Sequence, residues 1–491
     1  MIRFAQEPED ILARLEELRR MDAPTHGGHV LSYVYDSGLA ELDELAAAAI
    51  RLVQPVNGLD PTTFPSVAVM EREVVGFAAG MLGGSGATIV GTVTTGGTES
   101  CLLAVKTARD NWIAAGGVGT PYLLAPVTAH AAFRKAAHYF GLTMRSVAVD
   151  ATTGAVRADD LVRQLGPDVA LTVVSAPCYP YAALDPVAEV AAACLARGID
   201  FHVDACIGGW VLPWWGGVAD WDFRLEGVTS ISADMHKFGY APKGASVLLQ
   251  RGRDRQRSQY FATTAWPGYP VVNPTMLGSK SAGALAAAWA IIRALGVDGF
   301  ASLAASCRRS TAALIRAVQD IEGLLVVGTP VGPLLAVAAD ESVPAQRRVD
   351  PHHWADQVRE HGWLLQLQPG LGPLPHTAHL TVTPVTEGVL DELTQALVFA
   401  ADEVRGVPAV SGAEVLAALP ADALDQFQDA APLTSDAAYR LLIAVGLIAP
   451  GASDVALPER MAPFLALVEA LPSPITQRLL IELLARLVEP A

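Results

Sequence analysis

The segment "SADMHKFGYAPKG", residues 232–244, places Lys237 and Lys243 six residues apart, the first preceded by His236 and the second by an Ala-Pro pair. A lysine amine held beside groups that favour its neutral form condenses with an aldehyde. Elsewhere on a surface it is a solvated charge. Three further stretches carry groups that could converge with it. In "GTVTTGGTES", residues 91–100, a threonine-rich strand enters a Gly-Gly turn and a helix start. Gly96 and Gly97 permit close backbone approach, Thr98 offers a cap, and the free amides of a helix start favour a phosphate. In "FHVDACIGG" Asp204 ends a strand, where a carboxylate can pair with a protonated ring nitrogen. His202, two residues earlier, shares its face of that strand. His130 stands at a strand-to-helix junction, where a flat imidazole can stack on an aromatic cofactor. Each feature alone also fits an ordinary role: a capped turn, a sheet-end aspartate, a polar helix start, a surface charge. Together, in the chain order 98, 130, 204, 237, they supply what the different parts of pyridoxal phosphate require.

These groups need a scaffold that gathers strand ends. From about residue 61 onward apolar runs such as "TPYLLAPV", "DVALTVVSAP", "IDFHVDA", "VTSISAD" and "GASVLLQ" alternate with helical stretches such as "HAAFRKAAHYFG" and "DPVAEVAAACLARG". That alternation predicts an α/β domain around a mostly parallel sheet, covered on both faces. Ligand sites of such sheets lie beyond the carboxyl ends of the strands. After residue 299 the texture changes to a helix, "FASLAASCRRSTAALIRAVQDIEG", and shorter strands, which predicts a small α+β domain over 300–405. Residues 1–60 read as an N-terminal helical arm, 61–299 as the large domain, and 406–491 as a helical extension broken at Pro420, Pro450 and Pro472.

The 491 residues exceed one ordinary core. A net charge of -17 argues against nucleic acid as a partner. Mean hydropathy is +0.33, so a membrane span has to be considered. The stretch "LLVVGTPVGPLLAVAAD" from Leu324 is too short and is broken by Gly and Pro, so it reads as two buried strands around a turn. The charged amphipathic start has no apolar core of a signal peptide. The five cysteines, 101, 178, 194, 206 and 307, are odd in number and widely spaced. They predict neither a disulfide framework nor a zinc site, and a cytoplasmic setting.

The segments "GTVTTGGTESCLLAVKTARD", "HAAFRKAAHYFG", "SAPCYPYAALDP", "HVDACIGGWVLP" and "ISADMHKFGYAPKGASVLL" resemble the sphingosine-1-phosphate lyase branch of the group II pyridoxal phosphate decarboxylases. "DPTTFPSVAVMEREVV" and "TMLGSKSAGALAAAWA" are similar too, so the resemblance runs over about residues 28–384. The chain departs from the family pattern at Met235, Lys280 and Asp60. The resemblance implies a type I aminotransferase-like fold and a homodimer with its sites at the subunit interface. By the same token Lys237 forms the Schiff base with the cofactor, Asp204 holds the pyridinium, and His130 stacks on the ring. Gly97, Thr98 and His236 hold the phosphate, His202 belongs to the cofactor set, and Ser279 reaches the neighbouring subunit's phosphate. Lys243 and Tyr35 face the substrate. The reaction implied is retro-aldol cleavage of a phosphorylated long-chain amine to a fatty aldehyde and phosphoethanolamine. The rival activity is decarboxylation of an amino acid, and a rival of another class is a non-catalytic scaffold acting through the helical extension.

Overall fold

A computed structural model of the protein describes residues 4–86, 88–417, 433–444, 447–448 and 460–490. Its centre is a sheet of seven strands: β1 Ile89–Thr94, β2 Tyr122–Pro126, β3 Thr143–Val147, β4 Val169–Ser175, β5 Asp200–Asp204, β6 Ser230–Ala233 and β7 Ser246–Arg251. Their order is β1-β7-β6-β5-β4-β2-β3. β7 runs antiparallel to both neighbours, and the remaining pairings are parallel. Successive residues of one strand enter different cores. Leu123 and Val173 join a cluster with Phe133, whereas Leu124 and Val174 join one with Phe201 and Trp210. Both faces are covered, which is why these strands read as unbroken apolar runs. Each fully buried Leu or Phe here contributes about 1.5–3 kcal/mol.

Helices α1 Pro8–Arg19, α2 Ala40–Val53 and α3 Pro65–Met81 precede the sheet. Among its crossovers are α4 Gly97–Ala114, α5 Ala131–Phe140, α6 Ala158–Val162 and α7 Val187–Leu195. Gly141 (φ 70°) ends α5 in the left-handed region. After β7 come α8 Arg253–Arg257 and a two-stranded ribbon of β8 Phe261–Thr263 and β9 Val271–Asn273.

The helix expected from residue 300 is the second of two helical segments that meet at Gly296. α9 runs over Gly283–Gln319, with a kink at Gly296 (φ 55°). Its first half buries Leu285, Ala288 and Ile291 in the large core, and its last turns bury Leu314 and Val318 in the small one. Gly296 has non-helical backbone angles and divides α9 into two helical segments, the first packed on the large core and the second reaching the small one. By length and composition α9 is apolar enough to cross a bilayer, and 44% of its most apolar window is buried within the chain.

The small domain is a four-stranded sheet, order β10-β11-β13-β12, built from β10 Leu324–Val326, β11 Leu334–Ala339, β12 Gln366–Gln368 and β13 Thr377–Thr381. The stretch from Leu324 is therefore two strands around a turn. α10 Pro351–Glu360 and α11 Leu390–Val404 pack on this sheet, and the Trp354 indole donates to the Leu397 carbonyl at 2.9 Å. Among the described residues four further helices follow: α12 Gly412–Ala417, α13 Ser435–Ala444, α14 Ala462–Ala470 and α15 Ser473–Leu487. They enclose their own core of Leu441, Leu442, Leu467, Leu471, Leu479 and Leu483.

Candidate active site

The parallel register sets Ser175, Asp204 and Ser232 side by side at the carboxyl edge of β4, β5 and β6. A cavity of about 900 Å³ opens beyond that edge. Of the residues singled out in the sequence, Tyr35, Gly97, Thr98, His130, Asp204, His236 and Lys237 all line it. Four separate strand-to-loop junctions deliver the last six of them.

Lys237 follows β6 in a tight turn, and its Nζ lies 3.0 Å from Asp234 Oδ2. Asp234 is almost wholly buried, and His236 Nε2 is 3.5 Å from the same oxygen. Burial alone would raise the Asp234 carboxyl, but the Lys237 charge and the His236 contact hold it well below the usual carboxylate range. Burial alone would likewise lower Lys237. The facing Asp234 carboxylate outweighs it and keeps the ammonium above its ordinary range.

Asp204 accepts from the Cys206 amide at 3.1 Å and from the Ser232 hydroxyl at 3.4 Å. The rest of its carboxylate faces the cavity. α4 begins at Gly97 with no side chain capping it, so its first amides point outward unpaired by a cap. A Cβ on Gly97 would fall 2.5 Å from Asp234 Oδ2 and 2.9 Å from Cys206 Sγ. One on Gly96 would fall 3.1 Å from His236 Cε1. The two glycines thus form a cradle that any side chain would fill. His130 caps α5, accepting from the Ala132 amide at Nδ1 over 3.2 Å, and its other edge faces the cavity.

The remaining sequence candidates stand further off. His202 does not line the cavity. It is fully buried behind the floor, with Nδ1 2.8 Å from Ser230 Oγ and Nε2 3.1 Å from Ser232 Oγ. Burial depresses it to about 4, so it is neutral. Its link to the site runs through Ser232 to Asp204. Lys243 does not line the cavity either. It stands behind the wall, donating to the Tyr33 carbonyl at 3.0 Å and the His236 carbonyl at 3.3 Å, with Nζ 4.7 Å over the Tyr35 ring. Burial, then the Lys237 charge, lowers it to about 8. Burial raises the Tyr35 phenol to about 12. Ser279 Oγ accepts from Asn57 Nδ2 at 3.3 Å, outside this chain's own cavity.

Sequence reasoning passed over Asp234, Tyr179 and Glu99. Asp234 directly follows β6 much as Asp204 ends β5, three residues before Lys237, and that parallel could have found it. Tyr179 lines the cavity, and burial raises its phenol. Glu99 ties the cradle to the opposite wall, accepting from the Thr95 amide and the Met276 amide, each at 2.6 Å.

The model of the pyridoxal-dependent decarboxylase conserved domain matches residues 6–331, and that of the C-terminal HTH domain of pyridoxal-dependent enzymes matches residues 413–486. The helical extension, which carried no resemblance in the sequence reading, thus has relatives of its own. The chain is 35% identical over 399 residues to a sphingosine-1-phosphate lyase of Drosophila melanogaster, covering 78% of this chain and 71% of that one. It is 31% identical to an L-tyrosine/L-aspartate decarboxylase of Methanothrix thermoacetophila, over 69% of this chain and 85% of the relative. Among solved structures, a sphingosine-1-phosphate lyase of Burkholderia pseudomallei superposes with a TM-score of 0.76 at 33% identity, covering 88% of this chain and 97% of that one. An amine on a buried carboxylate, a second carboxylate at the floor and a glycine cradle at a bare helix start suit pyridoxal phosphate in kind and placement, and with the matched domain they make this chain a member of the pyridoxal-dependent decarboxylase family.

Proposed function

We propose that the protein is a pyridoxal phosphate-dependent lyase acting on a phosphorylated long-chain amine of the sphingosine-1-phosphate type. The observation that carries this is the single cavity that joins a charged floor at Lys237, Asp234 and Asp204 to an apolar mouth of Met276, Leu277, Leu371 and Leu374. The identity to lyases over most of the chain supports it. The reaction breaks the C2–C3 bond of a 2-amino-3-hydroxy chain. The 3-hydroxyl loses its proton and C3 becomes an aldehyde; C2 gains a proton and leaves as phosphoethanolamine. Bound pyridoxal phosphate supplies the sink for the electron pair of the broken bond.

The chain's own residues divide the remaining work. Lys237 supplies the amine that carries the cofactor. Asp204 keeps a proton on the ring nitrogen, and His202 steadies Asp204 through Ser232. His130 covers the ring. The α4 amides at Gly97 and Thr98, with His236, hold the cofactor phosphate. Tyr35, a neutral phenol on the cavity wall, holds or moves the proton of the 3-hydroxyl, and Lys243, behind that wall, acts through the Tyr35 ring that lies 4.7 Å from its Nζ. Ser279 completes the neighbouring site of a homodimer. The partner set contains no nucleic acid, because the chain is strongly acidic. α9 is read as a core helix rather than a lipid span, because it gives its buried face to the large and small cores. The setting is cytoplasmic.

The second reading, decarboxylation of an amino acid, is favoured by the identity to the archaeal decarboxylase. Mass-spectrometric product analysis of the cofactor-loaded protein decides between them. A phosphorylated sphingoid base should yield fatty aldehyde, and tyrosine or aspartate should yield no carbon dioxide. No aldehyde from the base, with carbon dioxide from an amino acid, would replace the lyase by a decarboxylase.

A further inference from the structure

Between β12 and β13 the chain makes a tight turn, residues 369–376, in which Leu371 and Leu374 exchange backbone hydrogen bonds of 3.1 Å about Gly372 (φ 59°). Its inner side, Pro369, Leu371 and Leu374, is part of the cavity wall, and Leu371 is 61% exposed at the rim. A turn that borders an open mouth and covers so little of itself needs outside support to keep one position. Its two ends are held by α10. His352 Nε2 donates to the Gln368 carbonyl at 3.0 Å, and His376 Nε2 pairs with Asp350 Oδ2 at 2.7 Å.

The third hold comes from the helical extension. Glu469, in the last turn of α14, accepts from the Gly370 amide at 2.8 Å. α14 itself is anchored at its other end. It has no capping side chain of its own, and the buried Asp356 of α10 takes that place, accepting from the Met461 amide at 2.8 Å and the Ala462 amide at 2.9 Å. α14 is therefore a strut with one end fixed on α10 and the other on the turn that walls the cavity. The extension also carries more acidic than basic residues, so it is poorly suited to a phosphate backbone.

We propose that the C-terminal helical domain is a clamp on the 369–376 turn and thereby sets the apolar mouth of the substrate cavity, with Asp356 and Glu469 as its positioning residues. The proposal rests on the reading that the cavity takes a long-chain amine. The alkyl chain leaves past Leu371 and Leu374, whereas the amine and phosphate ends do not reach the turn. Loosening the turn then weakens binding of long chains selectively and leaves the chemistry at Lys237 untouched.

The test uses the full-length, cofactor-loaded protein with Glu469→Ala, Glu469→Gln and Asp356→Ala. Hydrogen exchange of the peptide covering 369–376 should quicken roughly tenfold in Glu469→Ala and in Asp356→Ala, the loss of one hydrogen bond to a charged acceptor. Glu469→Gln keeps an acceptor oxygen and should stay near wild type. In aldehyde release, KM for a long-chain phosphorylated base should rise by a similar factor in Glu469→Ala, with kcat and the KM of a short-chain analogue unchanged. Unaltered exchange in both alanine variants would overturn the clamp. Quickened exchange with both KM values unmoved would overturn its control of the mouth. A wild type that releases no aldehyde would instead remove the lyase reading and the long-chain claim with it, while exchange would still decide whether the clamp exists.

Discussion

Lys237 and Lys243 differ in what surrounds them, and that sets what each can do. Lys237 faces a buried carboxylate, so its removal takes from Asp234 its one lysine partner and leaves it with His236 and the Ser246 hydroxyl. Lys237→Ala should cost about 3 kcal/mol of stability in denaturant unfolding, as expected when one partner of a buried pair is deleted. Turnover should fall at least roughly a thousandfold. Borohydride should then trap no pyridoxyl adduct on the 232–244 peptide, and an adduct there would show that another amine carries the cofactor. Lys243 changes charge just above neutrality. Its ordinary value of 10.5 falls to about 8 through burial and then the Lys237 charge. Between those two values the unfolded chain binds more protons than the folded one, so its contribution to stability improves as pH rises from about 8 to 10.5. Activity separates its two roles by sign. As an ammonium over the Tyr35 ring, Lys243 is in its working state at pH 7, and kcat/KM falls as pH passes about 8. As a neutral proton acceptor it gives the opposite slope. Lys243→Arg should abolish the fall, because a guanidinium stays charged throughout. A profile in wild type identical to that of Lys243→Arg would remove the residue from the reaction.

At the scale of elements the start of α4 carries the most information. Alanine ordinarily favours a helix over glycine by about 1 kcal/mol. At Gly97 that gain is overridden, since the new methyl would meet Asp234 and Cys206, neither of which can retreat from a buried site. Gly97→Ala should weaken cofactor binding at least roughly tenfold in a titration followed by absorbance, with the circular dichroism of the fold retained. Gly76→Ala in α3, where a methyl meets nothing within 4 Å, is the matched control and should stabilise by about 0.5–1 kcal/mol. Equal cofactor affinity in the two variants would show that the cradle does not need its glycine. These elements also explain what could be read from the chain. The strands of the large sheet and the helices closed by Gly141 and Gly198 are local patterns, and local patterns are legible. So was the gathering of residues 98, 130, 204 and 237, because each sits at a strand end or helix start whose place follows from topology. The helical segment of α9 before Gly296 was not, since its place is decided by the large core, whose other members lie far from it in sequence. Asp234 was hidden for the opposite reason: it is adjacent to Lys237, and only the turn after β6 shows that the two face one another. His202 obeyed the alternation of β5 yet missed the cavity, because Ser230 and Ser232 of the next strand close over it.

At the scale of the whole molecule, one chain leaves apolar surface that a second copy would cover. α1 has no buried residue, and its Ile11, Leu12, Leu15 and Leu18 are each more than half exposed. The β8–β9 ribbon adds Phe261, Tyr269 and Val272, again more than half exposed. Apolar groups in that number on one molecule point to an interface, and closed two-fold pairing is the commonest way to satisfy it. The loop after this ribbon carries Ser279, bound to Asn57 and turned away from its own cavity. As proposed, Ser279 serves the other site of a homodimer, which predicts that assembly and activity are linked. Light scattering should give a mass twice the 51.5 kDa of one chain. Replacing Leu12 and Leu15 together by glutamate puts two charges on this exposed apolar face, and the double variant should move toward the single-chain mass and lose turnover in proportion. Ser279→Ala should keep the doubled mass while weakening cofactor binding by roughly tenfold, the loss of one hydrogen bond to a charged group. A wild type at the single-chain mass with full turnover would show that each chain works alone and that Ser279 has no partner to serve.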